Sequence, residues 1–154
     1  MHFFLPPPVM PLYLQFNETM NRGRAKIVRR LITNRARDEP YTTVRLGFRK
    51  CDIFDPAPPK GANIQLILGD DKANSSNLTG QATIVRCSKT IWRYFNIKRP
   101  NNPDFWNNLD GSNPQTVEYW ILKYYNYYHG NVPGGTPINK INPDQKISMI
   151  TFVI

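Results

Sequence analysis

Residues 116–128, TVEYWILKYYNYY, form the most β-prone stretch of the chain, and the fold class turns on how they are read. Tyr, Trp, Ile and Val favour extended backbone because branched and aromatic side chains fit a pleated, half-buried surface. Read this way, the stretch is the strongest strand, with aromatic bulk on both faces. Both faces then need cover, since large exposed aromatic patches are rare on monomers. One face would meet the core, and the other a loop or a second subunit. A central strand inside one domain is the competing arrangement.

Working outward, residues 129–144 are rich in Gly and Pro and read as a loop, after which residues 146–154, KISMITFVI, alternate as a closing strand. Ile150, Phe152 and Ile154 share one face, and Met149, Thr151 and Val153 the other. Upstream, residues 99–115 hold breakers and many Asn and read as a long surface loop, with Phe105, Trp106 and Leu109 tucked against the body. Residues 81–98 read as two strands or one bent strand, and 63–68 as another. In 43–53, Val44, Leu46 and Phe48 fall on one face, with Arg45, Gly47, Arg49 and Cys51 on the other. Residues 55–61, DPAPPKG, and 69–80 read as turns. The sum is about five to seven strands with no helical spacers, so the expected class is all-β, an antiparallel sandwich or barrel.

The N-terminal part differs. Residues 1–16 are mostly apolar but carry Pro6, Pro7, Pro8 and Pro11, which prevent a helix. They lack the uninterrupted apolar run of a signal peptide. An extended arm docked on a neighbouring surface is expected. From Thr19 to Arg37 come Arg22, Arg24, Lys26, Arg29, Arg30, Arg35 and Arg37 with no acid, supplying +7 of the formal +9. Ile27, Val28, Leu31 and Ile32 recur at helical spacing, with Thr19 or Asn21 as the cap, so a short basic helix is expected. The expected division is 1–40, an arm with the basic segment, and 41–154, the β domain.

The 154 residues fit one domain with such an arm. Hydrophobic residues at 40% suffice for a core. No apolar run is long enough for a transmembrane helix. Two Cys and two His give neither a disulfide scaffold nor a Cys/His zinc site. No P-loop, GxGxxG or GxSxG occurs, so no enzyme, cofactor or metal is expected.

Clustered Arg and Lys attract phosphate backbones through counterion release. A +7 segment beside a mildly basic body is the layout of a nucleic-acid-binding arm. A solvated helix face, an anionic membrane and a calmodulin-like partner are the alternatives. In the body, Arg86, Lys89, Trp92, Arg93 and Tyr94 interleave basic and aromatic residues. Such a face could stack on bases, although packing accounts for the aromatics equally well. Gly69-Asp70-Asp71 reads as a turn, with cation binding by Asp52 and Asp55 or by Asp70 and Asp71 as the weaker reading. Cys51 and Cys87 are taken as buried thiols.

A short chain with a basic segment at Arg22–Arg37, a β body with Pro/Asn-rich loops and the closing strand KISMITFVI resembles the small single-jelly-roll capsid proteins of satellite viruses and circular single-stranded DNA viruses. The resemblance is architectural and spans about the whole chain; no diagnostic motif matches residue by residue. It implies a single jelly-roll sandwich and a homo-oligomeric icosahedral shell of about sixty copies. It further implies viral DNA or RNA on the inner surface, and a place in the virion, with assembly in the host nucleus or cytoplasm. Arg22, Arg24, Lys26, Arg29, Arg30, Arg35 and Arg37 would then meet nucleic acid, helped by Arg45, Arg49 and Arg86. Phe105, Trp106, Tyr125 and Tyr127 would lie at subunit contacts. The rival function is a non-catalytic nucleic-acid-binding barrel, OB-like, in a regulatory or movement protein.

Overall fold

The structure, a computed structural model, describes residues 12–34, 39–54, 63–98, 109–110 and 114–154. Along these the chain runs β1 (Tyr13–Phe16), α1 (Arg22–Asn34), β2 (Tyr41–Leu46), α2 (Arg49–Phe54), β3 (Asn63–Leu68), β4 (Leu78–Ile91) and α3 (Trp92–Lys98). It continues through α4 (Pro114–Tyr125), a π-helical turn at Asn126–Gly130, and β5 (Lys146–Val153). All five strands join one sheet in the order β1-β3-β4-β5-β2. The β1–β3 pair is parallel and the other pairs are antiparallel.

β4 makes the sheet curl. Its first part, from Leu78 to Thr83, pairs with β3, and from Thr83 onward it pairs with β5. The register shifts between Ile84 and Arg86, next to this handover. A bulge bends its strand and sharpens the local twist, and the sheet becomes a half-barrel.

β5 lies between β4 and β2 and is buried from Ile147 to Phe152. Its alternation sends side chains into two cores. Ile150 and Phe152 join Leu14, Phe16, Leu66 and Ile84 beneath Val28 and Leu31 of α1. Ile147 and Met149 join Val44 with Trp92 and Phe95 of α3 and Val117 and Ile121 of α4. Successive strand residues point to opposite faces, so helices cover the sheet on both sides. The closing strand and the basic helix therefore stand as expected. Asn21 is the cap of α1: its Oδ1 accepts the Arg24 amide at 3.0 Å.

The largest correction falls on residues 116–128. They are helical, continuing into the π-helical turn, not a strand. Val117, Trp120, Ile121 and Tyr124 are spaced i, i+3, i+4 and i+7, which puts them on one helix face. Val117 and Ile121 are buried, whereas Tyr119 on the opposite side is 57% exposed. The chain also places Asn-Pro at the helix start, and proline suits the first helical position. The stretch covers the second sheet face as a helix. The all-β expectation therefore holds for the antiparallel pairing but not for the class, since strands and helices share the fold. The described residues make one mixed sheet, with no second sheet among them.

Two other strands stop early. The one expected over 43–53 ends at Leu46, where Gly47 adopts φ 80° and its amide donates to Lys146 O at 2.8 Å. That left-handed turn favours glycine and opens α2, which buries Cys51 and Phe54. The strand expected to reach 98 ends at Ile91. Trp92 and Phe95 then share a helix face, with ring centroids 5.5 Å apart. Of the apolar N-terminal stretch, Tyr13–Phe16 is described, and it pairs with β3 of the same chain. Residues 1–11 lie outside the described residues.

Gly80 marks a close approach. A Cβ there would come within 3.1 Å of Ile32 on α1, inside ordinary van der Waals contact. We expect Gly80→Val to wedge α1 off β4 and to cost about 1–3 kcal/mol by overpacking, read as a lower thermal midpoint.

Candidate anion-binding cleft

α1 sorts its cations by helical periodicity. Ala25, Val28, Leu31 and Ile32 face the core, leaving Arg22, Lys26, Arg29 and Arg30 exposed. Arg29 pairs with Glu18 in an exposed contact. Arg24 lies on the inward side, one turn before Val28, and is only 9% exposed. Arg35 and Arg37 lie outside the described residues.

Arg24 lines a cleft of about 220 Å³. Arg45 reaches it from β2, and Arg49 and Lys50 from α2. Val44, Leu46, Val117 and Ile121 form its apolar wall, flanked by Trp120 and Tyr124. Three of the expected phosphate contacts, Arg24, Arg45 and Arg49, thus meet at one place. Arg86 is exposed on β4 and does not line the cleft.

Asp110 is the cleft's one carboxylate among the described residues, and its oxygens are occupied. One takes Arg24 Nη1 at 2.6 Å. The other takes Thr43 Oγ1 at 3.0 Å and the Val44 amide at 2.6 Å. Four cations against one carboxylate leave +3 on the lining. Arg45 Nη2 donates to Gln15 O at 2.8 Å, and its guanidinium lies 4.9 Å from the Phe16 ring centroid. Arg24 approaches the same ring at 5.3 Å. Lys50 Nζ donates to Tyr13 O at 2.9 Å and sits 4.1 Å from that ring's centroid.

Burial and crowding make two of these cations less basic. Burial, and then the Arg24 charge, lower Arg45 to about 10, against an upward pull from Asp110. Burial, and then Arg45, Arg49 and Lys72, lower Lys50 to about 8 from its ordinary 10.5. The unfolded chain keeps the Lys50 proton up to about 10.5, and the folded chain up to about 8. Between these values unfolding takes up a proton, so raising the pH favours the folded state. We expect the thermal midpoint, relative to that of Lys50→Met, to rise from pH 8 to pH 9.5. A difference flat across this range would contradict the lowered lysine.

Other expected sites separate. Trp92 is buried, Arg93 pairs with Asp144 at 2.9 Å, and Lys89 pairs with Asp52. Trp92 thus serves packing and Arg93 and Lys89 serve ion pairs, while Tyr94 and Arg86 stay exposed. Asp70 accepts the Glu18 amide at 2.8 Å and Thr19 Oγ1 at 2.8 Å, tying the β3–β4 turn to the start of α1. The Thr19 hydroxyl holds the Asp70 carboxyl below its ordinary value. Cys51 and Cys87 form no disulfide; Cys51 is buried, as expected, with its thiol donating to Ser88 O at 3.4 Å, whereas Cys87 is only half-buried. Phe105 and Trp106 lie outside the described residues. Tyr125 is half-buried against His129, ring centroids 5.3 Å apart, and Tyr127 is 63% exposed. Tyr127 and Tyr128 flank a neighbouring depression with Lys123, which shares Met20 with the cleft.

Sequence reasoning missed Asn21, Lys50, Asp110, Trp120 and Tyr124 as cleft residues. The helical spacing of Trp120 and Tyr124 was available as a signal. Asp110 sits in a loop and had none. Comparison with protein families, curated proteins and solved structures finds no match.

Proposed function

We propose that this chain binds nucleic acid without catalysing a reaction, holding phosphates on the solvent face of α1. The observation that carries this is the helix itself: Arg22, Lys26, Arg29 and Arg30 lie exposed, and α1 contains no acid. Arg35 and Arg37 extend the charge in sequence. The Arg29–Glu18 pair is exposed and worth about 0–1 kcal/mol, so a phosphate displaces the carboxylate at small cost. Six contacts imply a fall in affinity on the order of 10³-fold between about 50 and 200 mM salt.

Titration of oligothymidylate tests the reading. Replacing Arg22, Lys26, Arg29 and Arg30 with Ala removes four cations, so the slope of log affinity against log salt should shrink by roughly 3. An unchanged slope moves strand binding off α1.

A viral shell subunit is the second reading, favoured by the tyrosines that α4 and its π-helical turn leave in solvent. Tyr119, Tyr124, Tyr127 and Tyr128 are all exposed, an aromatic surface suited to a neighbouring copy. The jelly roll of that reading needs a second sheet from outside the described residues. Light scattering with nucleic acid present separates the two. A multi-megadalton particle supports the shell, and a species near the 17.9 kDa of one chain excludes it.

A further inference from the structure

The cleft between α1, β2 and α4 has an unmet demand of definite chemistry. Asn21 and Arg24 are 4% and 9% exposed, and both line it. Among the described residues, Asn21 Nδ2 and Arg24 Nε have no hydrogen-bond acceptor. Buried polar groups are satisfied in the great majority of proteins, and one left without a partner calls for an explanation. Asp110 supplies no relief, because Arg24 Nη1, Thr43 and Val44 already occupy its oxygens. The lining therefore offers unmet donors and a surplus of three positive charges. What fits is an anion rich in acceptor oxygens.

The rest of the lining narrows the class. A free inorganic anion would use the cationic side alone and leave the flanking Trp120 and Tyr124 uncontacted. These side chains suit the flat, weakly polar part of an amphipathic anion, since aromatic faces stack on planar rings. The volume, about 220 Å³, holds a phosphate with its sugar and leaves a base against the aromatic rim.

We propose that this cleft is a nucleotide pocket, with a phosphate monoester held by Arg24, Arg45, Arg49 and Lys50 and the base packed against Trp120 and Tyr124. The donors of Asn21 and Arg24 complete the phosphate's oxygen shell. Guanidinium groups suit this task through paired, charge-assisted hydrogen bonds. The pocket uses the inward side of α1 and is separate from strand binding on its outer face. It stands or falls on a ligand too small to span that outer face.

Calorimetric titration of the full chain at low salt with adenosine 5′-monophosphate is the test, with adenosine and inorganic phosphate as parallel arms. The monophosphate should bind, inorganic phosphate should bind more weakly, and adenosine should not bind measurably. Arg49→Gln and Trp120→Leu should each weaken the monophosphate about tenfold or more, because the first removes a charge-assisted contact and the second a stacking surface. Lys50 supplies a readout that needs no variant. It faces Tyr13 on β1, Arg45 on β2, Arg49 on its own helix and Lys72 before β4. With the phosphate already doubly ionised, affinity should fall as pH rises from 7 to 9 and the lysine loses its proton. Equal binding of adenosine and its monophosphate overturns the proposal, as does affinity flat across that pH range. No heat from the monophosphate at millimolar concentration overturns it too, and leaves the oligothymidylate titration to judge strand binding alone.

Discussion

A chain ending at Gln145 should not fold. The truncation removes β5, and with it the partner of every residue in β2, whose register runs from Tyr41 opposite Phe152 to Leu46 opposite Ile147. Among the described residues, β2 has no second neighbour in the sheet. Removing β5 therefore strands β2 and unpairs the C-terminal part of β4, from Arg86 to Ile91. It also empties both cores. Ile150 and Phe152 leave the layer under α1, and Ile147 and Met149 leave the layer under α3 and α4. Each such side chain is worth roughly 1.5–3 kcal/mol, so four approach or exceed the roughly 5–15 kcal/mol that holds a typical domain together. The expected result is an insoluble product, or a soluble one with no cooperative thermal transition by far-ultraviolet circular dichroism. A truncated chain that melts cooperatively would remove β5 from the centre of the sheet.

That strand was legible because a nine-residue run of alternating apolar side chains satisfies a simple period. The register of its two faces followed from the same alternation. The basic helix was legible for a similar reason, with Asn21 as cap and apolar residues at helical spacing. Residues 116–128 misled because two signals conflicted. Tyr, Trp, Ile, Val and Leu at nine of thirteen positions resemble a strand buried on both faces, and propensity cannot separate that from a helix buried on one face. The period could: Val117, Trp120, Ile121 and Tyr124 keep helical spacing, and Tyr119 between them stays in solvent. Propensity is the weaker guide because its scale spans only about 1 kcal/mol, less than the burial of one large side chain. The cleft was half legible. Arg24, Arg45 and Arg49 stood out by charge, but their meeting depends on the curl of the sheet, which brings Arg45 of β2 onto Gln15 of β1, beside α1. Asp110 could not be read at all, because a loop aspartate carries no period and its partners lie far from it in sequence.

Asp110→Ala should be the most destabilising single substitution in the cleft. The carboxylate meets Arg24 at 2.6 Å, with the two side chains 6% and 9% exposed, so the ion pair is buried. It also closes the Thr43 hydroxyl and the Val44 amide on β2. Removing it strips three donors of their acceptor and leaves Arg24 beside Arg45, Arg49 and Lys50 with no counter-charge in the cleft among the described residues. Taking one partner from a buried pair costs about 3–5 kcal/mol, because the remaining charge stays desolvated. For a chain of this length that corresponds to a fall of roughly 10 °C in thermal midpoint. The double variant Arg24→Met with Asp110→Ala separates lost attraction from stranded charge. Replacing a whole buried pair with apolar side chains is often close to neutral. The double variant should therefore recover much of the loss, leaving the cost of the open Thr43 and Val44 donors. If Asp110→Ala melts with the wild type, Asp110 does not hold α1 to β2. If the double variant is no more stable than the single one, the penalty comes from those donors and not from the arginine.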